Sequence, residues 1–496
     1  MLTLCAENKE TPRKDAKRGC RAARETLYKN IEIMNVTQQT SSQANEGLIA
    51  KYNVPAPRYT SYPPANYFAD FTPDQYLAAV AQTDRDENNI SWYIHMPFCR
   101  KLCHYCGCNS YPMQKPEAVE RYVNAIHHEI DLMALHLRPN RKISQIHYGG
   151  GSPTAIAPRF LKEINDHLLS LHATIDRPEI AIECHPGYLQ AKDWNELLDC
   201  GFNRFSIGVQ DLDEHVLKAV NREPSLMPLR DIFGLLRSAG ATINLDFLYG
   251  LPLQTPESFA RNIEAVVELR PDRVVTFSYG HVPWVHKRQL VLEKIGLPEE
   301  RAKQRMGANA RAIMRQAGYR SIGMDHYVLP EDELSKALDN HYLRRNFQGY
   351  CTLRTTGQVY ALGVTGISQL STAYAQNSHD IDGYMANIEA GRLDVRRGYA
   401  LTHRDQMVRE VVESLMCNYH ADWKDIAKRM GVSREELREA LHWDENQLRE
   451  MEADGLFMRT EDTLTMTTEG TPFVRNVVAA LDPLMVNTTR KFSKPI

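Results

Sequence analysis

The 496-residue sequence predicts an α/β protein with an incomplete parallel barrel, (β/α)6, followed by a mainly α-helical C-terminal domain. From Asn88 onward, short β-branched runs alternate with segments of helical period, which is typical of a parallel sheet with right-handed crossovers. The sequence contains six such repeats, whereas a closed barrel of this type uses eight. We therefore expect a sheet that is curved but open on one side.

Hydrophobic periodicity defines the elements of the six repeats. The predicted strands span residues 90–95, 143–148, 179–183, 204–208, 243–249 and 273–279. The helices expected between them span residues 116–137, 159–171, 191–200, 226–239 and 256–269. Because functional groups of parallel barrels collect where the strands end, we expect a site at the carboxyl ends of these strands.

The chain divides into three parts by composition. Residues 1–47 are polar and mixed in charge, with a run of Thr, Gln, Ser and Asn after Met34, and predict a disordered N-terminal extension. We also expect the functional chain to begin at Met34. Residues 48–375 are the predicted barrel domain with an N-terminal arm on the substrate side, and residues 376–496 are the helical domain.

The helical domain has a pattern of its own. It predicts helices over 405–417, 423–430, 433–443 and 446–454, then a hairpin of 456–458 with 464–467. Helices followed by a hairpin are compatible with a winged helix-turn-helix. Residues 401–496, however, carry 13 Lys and Arg against 17 Asp and Glu, whereas DNA-binding domains are usually basic.

Overall composition excludes several classes of partner. The formal net charge is −3, so nothing indicates nucleic acid or an anionic membrane. No uncharged apolar stretch reaches the length of a membrane span, and acidic residues interrupt any signal peptide, so we expect a cytoplasmic protein.

Ten cysteines in such a chain are expected to be core residues, metal ligands or catalytic thiols, and not disulfides.

Four of the ten cysteines, Cys99, Cys103, Cys106 and Cys108, fall within ten residues after the first predicted strand. Structural zinc usually needs two separated ligand pairs, and the ferredoxin spacing is absent. The remaining pattern, C-x-x-x-C-x-x-C, offers three thiolates on one loop, which can hold three corners of a 4Fe–4S cube and leave one iron open. We expect Cys108 not to be a ligand, because it is too close to Cys106 for a fourth corner.

The other strand ends carry residues that suit a ligand site. The second strand runs into three glycines at 149–151, whose backbone can approach a ligand closely. Glu183 ends the third strand, Gln210 the fourth and Asp246 the fifth. Three polar side chains on successive strands, beside the cysteine loop, favour a functional site over chance.

The chain resembles the oxygen-independent coproporphyrinogen III oxidases, which belong to the radical S-adenosylmethionine (SAM) enzymes. The cysteine spacing is the radical SAM motif, and the resemblance runs from about Lys51 to Phe492. The segments that carry it span residues 52–53, 57–63, 99–108, 149–154, 201–204, 208–211, 221–222, 246–252, 323–326 and 345–350.

The resemblance implies one 4Fe–4S cluster and two molecules of SAM. It implies the cluster ligands Cys99, Cys103 and Cys106, and a first SAM bound by Tyr93, Gly150 and Glu183. The residues it implies for the second SAM are Tyr105, Gly151, Ser152, Gln210, Arg222, Asp246, Gly280 and Ile367. Tyr105, Ser152 and Gly280 depart from the usual Phe, Thr and Ala. The implied catalytic residues are Glu183, Cys108 and Gln348.

The implied reaction converts two propionates of coproporphyrinogen III to vinyl groups, giving protoporphyrinogen IX, in an enzyme expected to be a monomer with a separate one-electron donor. The substrate carries four carboxylates, and arginine makes the best bidentate carboxylate contacts. Candidates for these contacts are Arg58, Arg344 and Arg345.

Two alternatives stay open from the sequence. A related haem chaperone shares the barrel and the three cysteines, but such proteins generally lack the fourth cysteine and the 58–63 segment, both present here. An iron–sulfur regulator that binds DNA through the C-terminal helices is the other alternative, and the acidic balance of those helices argues against it.

Overall fold

The computed structural model describes residues 47–85, 89–352, 354–355 and 357–493. The expected N-terminal extension, apart from Gly47, and the expected start at Met34 lie outside the described residues. No helix within these ranges is long and apolar enough to cross a membrane.

The strands and helices follow one another in the order expected for a repeating α/β fold. The strands are β1 (Ala69–Asp70), β2 (Ile90–Met96), β3 (Phe98–Cys99), β4 (Tyr111–Pro112), β5 (Ile143–Gly150), β6 (Thr174–Cys184), β7 (Arg204–Gln210), β8 (Thr242–Tyr249), β9 (Arg273–Ser278), β10 (Arg320–Ile322), β11 (His326–Val328), β12 (Arg344–Asn346), β13 (Gly349–Cys351), β14 (Gln358–Leu362), β15 (Ile367–Gln369), β16 (Ala373–Asn377), β17 (Val395–Ala400), β18 (His420–Asp422), β19 (Phe457–Arg459) and β20 (Thr463–Met466). The α-helices are Pro73–Thr83, Pro116–Ala134, Pro158–Leu171, Ala191–Asp199, Glu214–Ala219, Leu229–Ser238, Pro256–Leu269, Leu290–Ile295, Glu300–Gln316, Glu333–Asp339, Ile381–Glu389, His403–Asn418, Trp423–Met430, Arg434–Ala440, Glu445–Ala453 and Val474–Leu481.

The main sheet has the order β1-β17-β16-β15-β14-β2-β5-β6-β7-β8-β9-β11-β10. The six predicted strands are β2 and β5 to β9, and all neighbours among them pair in parallel. The incomplete barrel is therefore confirmed. A seventh strand, β14, also pairs in parallel with β2, and antiparallel strands extend the sheet at both ends.

The expected domain boundary at residue 376 needs correction. It falls inside β16, which pairs with β17 as far as Ala400. The change from sheet to helices therefore comes after Ala400. Local sequence does not reveal this, because the connection from 378 to 394 contains a helix, Ile381–Glu389, that looks like the start of the helical part.

Local sequence explains why the crossover helices begin where they do. At the start of the helix Pro256–Leu269, the Thr255 hydroxyl accepts a hydrogen bond from the Ser258 N–H, and the Ser258 hydroxyl accepts one from the Thr255 N–H. Pro256 occupies the first turn, where its missing N–H costs nothing. This helix has the bounds that its sequence predicts.

The two faces of the parallel sheet differ in character. Side chains alternate between the faces of a strand, so Trp92 and Ile94 point to one side and Tyr93 and His95 to the other. Trp92, Ile94 and their counterparts on the neighbouring strands are buried in a large apolar core with the crossover helices. The opposite face carries the polar residues, and it is the inner face of the open barrel.

The C-terminal part has its own apolar core. Its helices agree with the predicted ones to within a few residues, and the expected hairpin is β19 with β20, joined by β18 into a three-stranded sheet. Two tyrosines of the N-terminal arm, Tyr59 and Tyr62, enter this core and each donates a hydrogen bond of 2.9 Å to the buried Asp482. The arm is thereby fixed to the C-terminal part.

Candidate active site at the carboxyl edge of the sheet

Strand register brings the predicted site residues to one face of the sheet. Tyr93 on β2 pairs with His147 on β5, and His147 pairs with Ala181 on β6. Glu183 therefore lies on the same face as Tyr93, because residues two apart share a face. Glu183 in turn pairs with Ser206 on β7, and Gly208, two residues later, pairs with Asp246 on β8.

The cysteines lie on a loop that leaves the end of β2. Its ends are joined because β3 pairs with β4, and the Met113 N–H donates to the carbonyl of Cys99 at 2.9 Å. The loop is also tied to the end of a helix, since the Asn221 amide donates to the Leu102 carbonyl at 2.9 Å. Cys103 is buried, and Cys108 is exposed.

The surroundings of the cysteines suit anionic sulfur. The backbone N–H of Cys108 faces Cys106 Sγ at 3.4 Å, and Arg222 Nη1 lies 3.6 Å from Cys103 Sγ. A hydrogen bond from the Cys108 thiol lowers the pKa of Cys106 to about 6, whereas burial raises the pKa of Cys99 to about 12. Hydrogen bonds and positive charge directed at sulfur are among the features that stabilise and tune iron–sulfur clusters.

The donor set consists of three cysteine thiols on one loop, and thiolates are ligands that suit iron–sulfur clusters. Within the described residues, no three His, Cys, Asp or Glu side chains converge on a site for one metal ion. A cube holds its cysteines farther apart than one ion does, so the loop of Cys99, Cys103 and Cys106 is compatible with a 4Fe–4S cluster held at three corners.

The three glycines at the end of β5, Gly149 to Gly151, leave space for this loop and for its neighbours. A Cβ at Gly149 would lie 2.8 Å from Glu183 Oε1, and one at Gly150, whose φ is +110°, would lie 2.5 Å from the ring of His95. A Cβ at Gly151 would lie 2.5 Å from the carbonyl oxygen of Pro97. Any larger residue would push the cysteine loop, or Glu183, out of place.

Tyr93 and His95 form a hydrogen-bonded pair on the inner face. His95 Nε2 lies 2.9 Å from the Asn109 carbonyl, which only accepts, so Nε2 carries the hydrogen. Nδ1 then accepts from the Tyr93 hydroxyl at 3.1 Å. Burial lowers the pKa of His95 to about 4, so the ring is neutral at physiological pH. The pair fixes the loop end at Asn109 against β2.

Glu183 projects from the end of β6 with its side chain 43% exposed, and it faces one neighbour on the sheet. His147 Nε2 lies 3.3 Å from Glu183 Oε1, and His147 Nδ1 is buried with no hydrogen-bond partner among the described residues. The carboxylate is therefore accessible and held from one side. This position suits the amino or ribose group of a small cofactor.

Four of the residues implied for the second SAM lie around the next strand ends. Arg222 donates to the Tyr105 hydroxyl at 3.1 Å and also to the Gly208 carbonyl, which links the cysteine loop to β7. Asp246 accepts from Asn244 at 2.7 Å and from Ser206 at 3.0 Å, and burial raises its pKa. Gln210 ends β7 with a φ of +70°.

Of the other residues implied for the second SAM, Gly280 and Ser152 lie near the cysteine loop and its glycines, whereas Ile367 lies apart. The carbonyls of Tyr105 and Gly280 both accept from the Gln289 amide, at 3.1 and 3.3 Å, so Gly280 is adjacent to the cysteine loop. Ser152 is buried behind the glycines, where its N–H donates to the Phe98 carbonyl. Ile367 lies on β15, across β14 and β2 from the others, and packs on the Phe68 side.

Gln348 and the three candidate arginines lie in different environments. Gln348 is at the turn between β12 and β13, and its Oε1 is buried without a hydrogen-bond partner among the described residues. Arg344 is paired with Glu410 and Glu413, each at 3.2 Å. Arg58 is exposed on the N-terminal arm, whereas the guanidinium of Arg345 is largely enclosed.

Sequence reasoning missed residues that hold this site together. Glu129 is buried below the turn at Gly363, where it accepts from the Gly363 N–H at 2.7 Å and from Tyr384 at 2.6 Å. Thr365 in the same turn lies 3.2 Å from His95 Nε2. The one local signal was a glutamate on the apolar face of the helix Pro116–Ala134. His147 could have been found by alternation, because it is polar in a buried strand.

Comparisons with known proteins agree with this geometry. The model of the Radical SAM superfamily matches residues 93–266. The oxygen-independent coproporphyrinogen III oxidases of Pseudomonas aeruginosa and Escherichia coli are each 36% identical to this chain, over 458 and 456 residues, and each alignment covers 90% of this chain and 98% of the relative. The solved structure of coproporphyrinogen III oxidase from Escherichia coli, a radical SAM enzyme, matches with a TM-score of 0.80 and 34% identity, covering 86% of this chain and 97% of that one.

The fold and the cysteine loop thus define a radical SAM enzyme, which uses a 4Fe–4S cluster and SAM. More narrowly, the chain belongs to the family of oxygen-independent coproporphyrinogen III oxidases. This membership favours an oxidoreductase over the haem chaperone and the DNA-binding regulator.

Proposed function

We propose that this chain converts two propionate side chains of coproporphyrinogen III to vinyl groups without oxygen, giving protoporphyrinogen IX. The observation that carries the proposal is the 36% identity to coproporphyrinogen III oxidases over nearly their whole length, in a chain that has the three-cysteine loop and polar strand ends. Each conversion removes one hydrogen atom, one carbon dioxide and one electron from a propionate.

The cofactors supply the radical chemistry, and the chain supplies placement. When bound, the cluster and SAM provide a 5′-deoxyadenosyl radical, which removes a hydrogen atom from the β-carbon of a propionate. Cys99, Cys103 and Cys106 would hold the cluster. Tyr93 and the backbone of Gly150 would position the first SAM, and Glu183 would hold its polar groups at an accessible strand end.

We further propose that a second SAM binds across the ends of β7, β8 and β9. Its site would comprise the eight residues Tyr105, Gly151, Ser152, Gln210, Arg222, Asp246, Gly280 and Ile367. The hydrogen bond between Arg222 and Tyr105 supports a common site for the first part of this group. Ile367 supports it less directly, because it is on the far side of β2.

Cys108 and Gln348 are proposed to act on the substrate and not on the cluster. The Cys108 side chain follows the last ligand on an exposed part of the loop, and its neighbours raise its pKa well above that of an ordinary thiol, with Cys106 as the main cause. A protonated thiol next to the radical site suits hydrogen or proton transfer. Gln348 offers an unpaired amide oxygen from the β12–β13 turn.

The proposed enzyme works as a cytoplasmic monomer and receives its electrons from a separate one-electron donor. The electron need follows from the chemistry, because SAM cleavage consumes one electron for each radical formed. Size-exclusion chromatography with light scattering would test whether the enzyme is a monomer. Comparing the activity of enzyme whose cluster is reduced by a chemical reductant with that of enzyme reduced by a protein donor would test the need for a separate donor.

Product analysis tests the reaction itself. The chain is reconstituted anaerobically with iron and sulfide, reduced, and incubated with SAM and coproporphyrinogen III, and the products are oxidised and separated. The expected product is the divinyl porphyrin, with methionine and 5′-deoxyadenosine formed in step. Binding of haem with no change in the porphyrinogen would instead indicate the chaperone.

Equilibrium binding tests the second SAM. Wild-type enzyme with its cluster should bind about two SAM molecules per chain. Charged hydrogen bonds contribute about 1.5–3 kcal/mol each, so Asp246→Ala or Arg222→Ala should weaken one site roughly tenfold to a hundredfold and reduce the count to about one. A wild-type count of one would reject the second site. Glu183→Ala, as the contrasting variant, should impair the first SAM.

A further inference from the structure

The guanidinium of Arg345 is enclosed by protein without a carboxylate partner. Its Nε and Nη1 atoms are buried and have no hydrogen-bond acceptor within the part of the chain that the structure describes. Its neighbour is the ring of Tyr350, whose centre lies 5.0 Å from the guanidinium carbon. Buried charged groups are normally paired, so an enclosed cation with unused N–H groups indicates an anionic ligand.

Two carboxylates near this arginine are already engaged. Asp325 accepts from His326 Nδ1 at 2.7 Å, and Glu413 accepts from Arg344 Nη1 at 3.2 Å and from the Arg345 backbone N–H at 3.1 Å. Burial would raise the pKa of Asp325, but the hydrogen bond and charge of His326, together with the charges of Arg345 and Arg58, outweigh burial and lower this pKa to about 2. Neither carboxylate pairs with the guanidinium.

Arg345 lines a small pocket with a water-accessible volume of about 20 Å³. Gln369 on β15 and the segment Tyr59–Tyr62 of the N-terminal arm also line it. The Oε1 atom of Gln369 is also buried without a donor among the described residues. A porphyrinogen carries carboxylates, which accept hydrogen bonds, and pyrrole N–H groups, which donate them. Unused donors of Arg345 and an unused acceptor of Gln369 are complementary to both.

Strand register relates this pocket to the radical site. Gln369 pairs with Val359 on β14, and Val359 pairs with Ser91 on β2. Ser91, Tyr93 and His95 alternate onto one face, so Gln369 points to the same inner face as the residues beside the cysteine loop. A pocket of this size takes no more than a carboxylate group and leaves the macrocycle at its mouth, on the inner face.

Two other arginines near the pocket serve as an internal comparison. Arg409 also lines it, but donates to the carbonyls of Leu370 and Ser371 at 3.1 and 2.8 Å. Arg344 is neutralised by two glutamates. Of these three, Arg345 alone has guanidinium atoms that are buried and unpartnered in the described residues.

We propose that Arg345 binds one propionate carboxylate of the porphyrinogen in this pocket, and that Gln369 accepts a hydrogen bond from the adjacent pyrrole N–H. The proposal rests on the proposed function and assigns a specific part of the substrate to a specific residue. It also gives a role to the Tyr59–Tyr62 segment, which Asp482 fixes in place as a wall of the carboxylate pocket.

The test uses the full chain with its cluster, under anaerobic conditions, and two stable probes. Coproporphyrin III has four free carboxylates, and its tetramethyl ester has none. Arg345→Gln should weaken binding of the tetra-acid about tenfold to a hundredfold, the range for a lost charged hydrogen bond, and leave ester binding unchanged. Arg345→Lys keeps the charge but not the bidentate geometry, so it should recover part of the loss.

Arg409→Gln is the matched control, because it removes a guanidinium from the same pocket. Its N–H groups serve backbone carbonyls, so this variant should lower the melting temperature while tetra-acid binding changes by less than about threefold. Arg345→Gln should behave in the opposite way. Its cluster iron, bound SAM and melting temperature should stay near the wild-type values, while its affinity for the tetra-acid falls and its KM for coproporphyrinogen III rises.

The outcomes separate this proposal from the proposed function. If wild type decarboxylates coproporphyrinogen III and Arg345→Gln binds the tetra-acid as tightly as wild type, the carboxylate assignment is overturned and the function stands. If wild type neither binds nor converts the porphyrinogen, the function itself fails. Should Arg345→Gln not fold, Arg345→Lys decides: a loss for the tetra-acid alone supports the assignment, and equal affinity overturns it.

Discussion

Charged side chains on the inner face of the sheet have different partners at the edge where the strands begin and at the edge where they end. At the edge where the strands begin, Glu179 accepts from Arg204 at 2.8 Å and from Gln145 at 2.7 Å, and Arg273 is paired with Asp332 at 2.8 Å. All of these side chains are buried or nearly so, and each charge has an opposite charge within hydrogen-bond distance. These ion pairs occupy the barrel interior at the edge where the strands begin.

At the edge where the strands end, Glu183, Arg222 and Asp246 form no ion pairs with one another among the described residues. Asp246 is held by the neutral Asn244 and Ser206, and Arg222 by a carbonyl and the Tyr105 hydroxyl. Glu183 is only four residues from Glu179 on β6, yet it is accessible. The contrast teaches that one strand supplies stability at its start and binding capacity at its end, as parallel barrels generally do.

The largest expected effect is at the cysteine loop. Cys99→Ser, Cys103→Ser and Cys106→Ser should each remove most of the cluster and abolish the proposed porphyrinogen conversion, because each cysteine is proposed to hold one of three corners. Iron and sulfide analysis with the visible absorption of the cluster measures this directly.

Cys108→Ser is the control on the same loop. Because Cys108 is expected not to be a ligand, its serine variant should keep iron and sulfide near the wild-type level even where turnover falls. Equal loss of the cluster in this variant would show that the three-ligand assignment is wrong.

The next effect compares the two edges on a single strand. Glu179→Gln leaves Arg204 buried without its carboxylate, and breaking a buried ion pair costs about 3–5 kcal/mol of the free energy of unfolding. Glu183→Gln changes the same residue type on the same face, but its side chain is 43% exposed, so it should cost less than about 1 kcal/mol. Chemical denaturation followed by circular dichroism measures both.

In SAM binding, the order of the two variants should be reversed, with the larger loss in Glu183→Gln. Folded Glu179→Gln protein should still bind SAM, whereas Glu183→Gln should bind the first SAM more weakly. Similar losses of stability in the two variants would contradict the division of the strand into a stabilising start and a binding end.

Much of the fold could be predicted from sequence because its signals are local. The six parallel strands and their helices follow hydrophobic periodicity, and their bounds agree to within a few residues apart from the start of β6. That strand begins at Thr174 and not at 179, because Asp176, Arg177 and Pro178 interrupt the apolar pattern. The short strands β14 to β17 were missed, because their place in the sheet depends on partners distant in sequence.

The cysteines and strand-end residues of the site could be predicted from sequence better than the arginine contacts to the substrate. The cysteine spacing and the strand-end residues are visible in sequence, and the structure gathers most of them on one face. The three arginines could not be ranked, because Arg344 and Arg345 are adjacent in sequence. Their difference comes from Glu410 and Glu413, on a helix more than sixty residues later, which neutralise Arg344 and leave the Arg345 guanidinium unpaired.

The smallest expected effect concerns acid stability, and it sharpens the comparison of the two glutamates. Burial would raise the pKa of Glu179, but Arg204 and Arg273 outweigh burial and lower it to about 2. A depressed carboxyl pKa contributes stability that is present above the unfolded value of about 4.5 and is lost as pH falls toward 2. The free-energy difference between wild type and Glu179→Gln should therefore shrink, by an amount on the order of 1–3 kcal/mol, as unfolding is measured at decreasing pH between 6 and 3. A constant difference for Glu179→Gln would mean that its ion pair with Arg204 does not stabilise the fold.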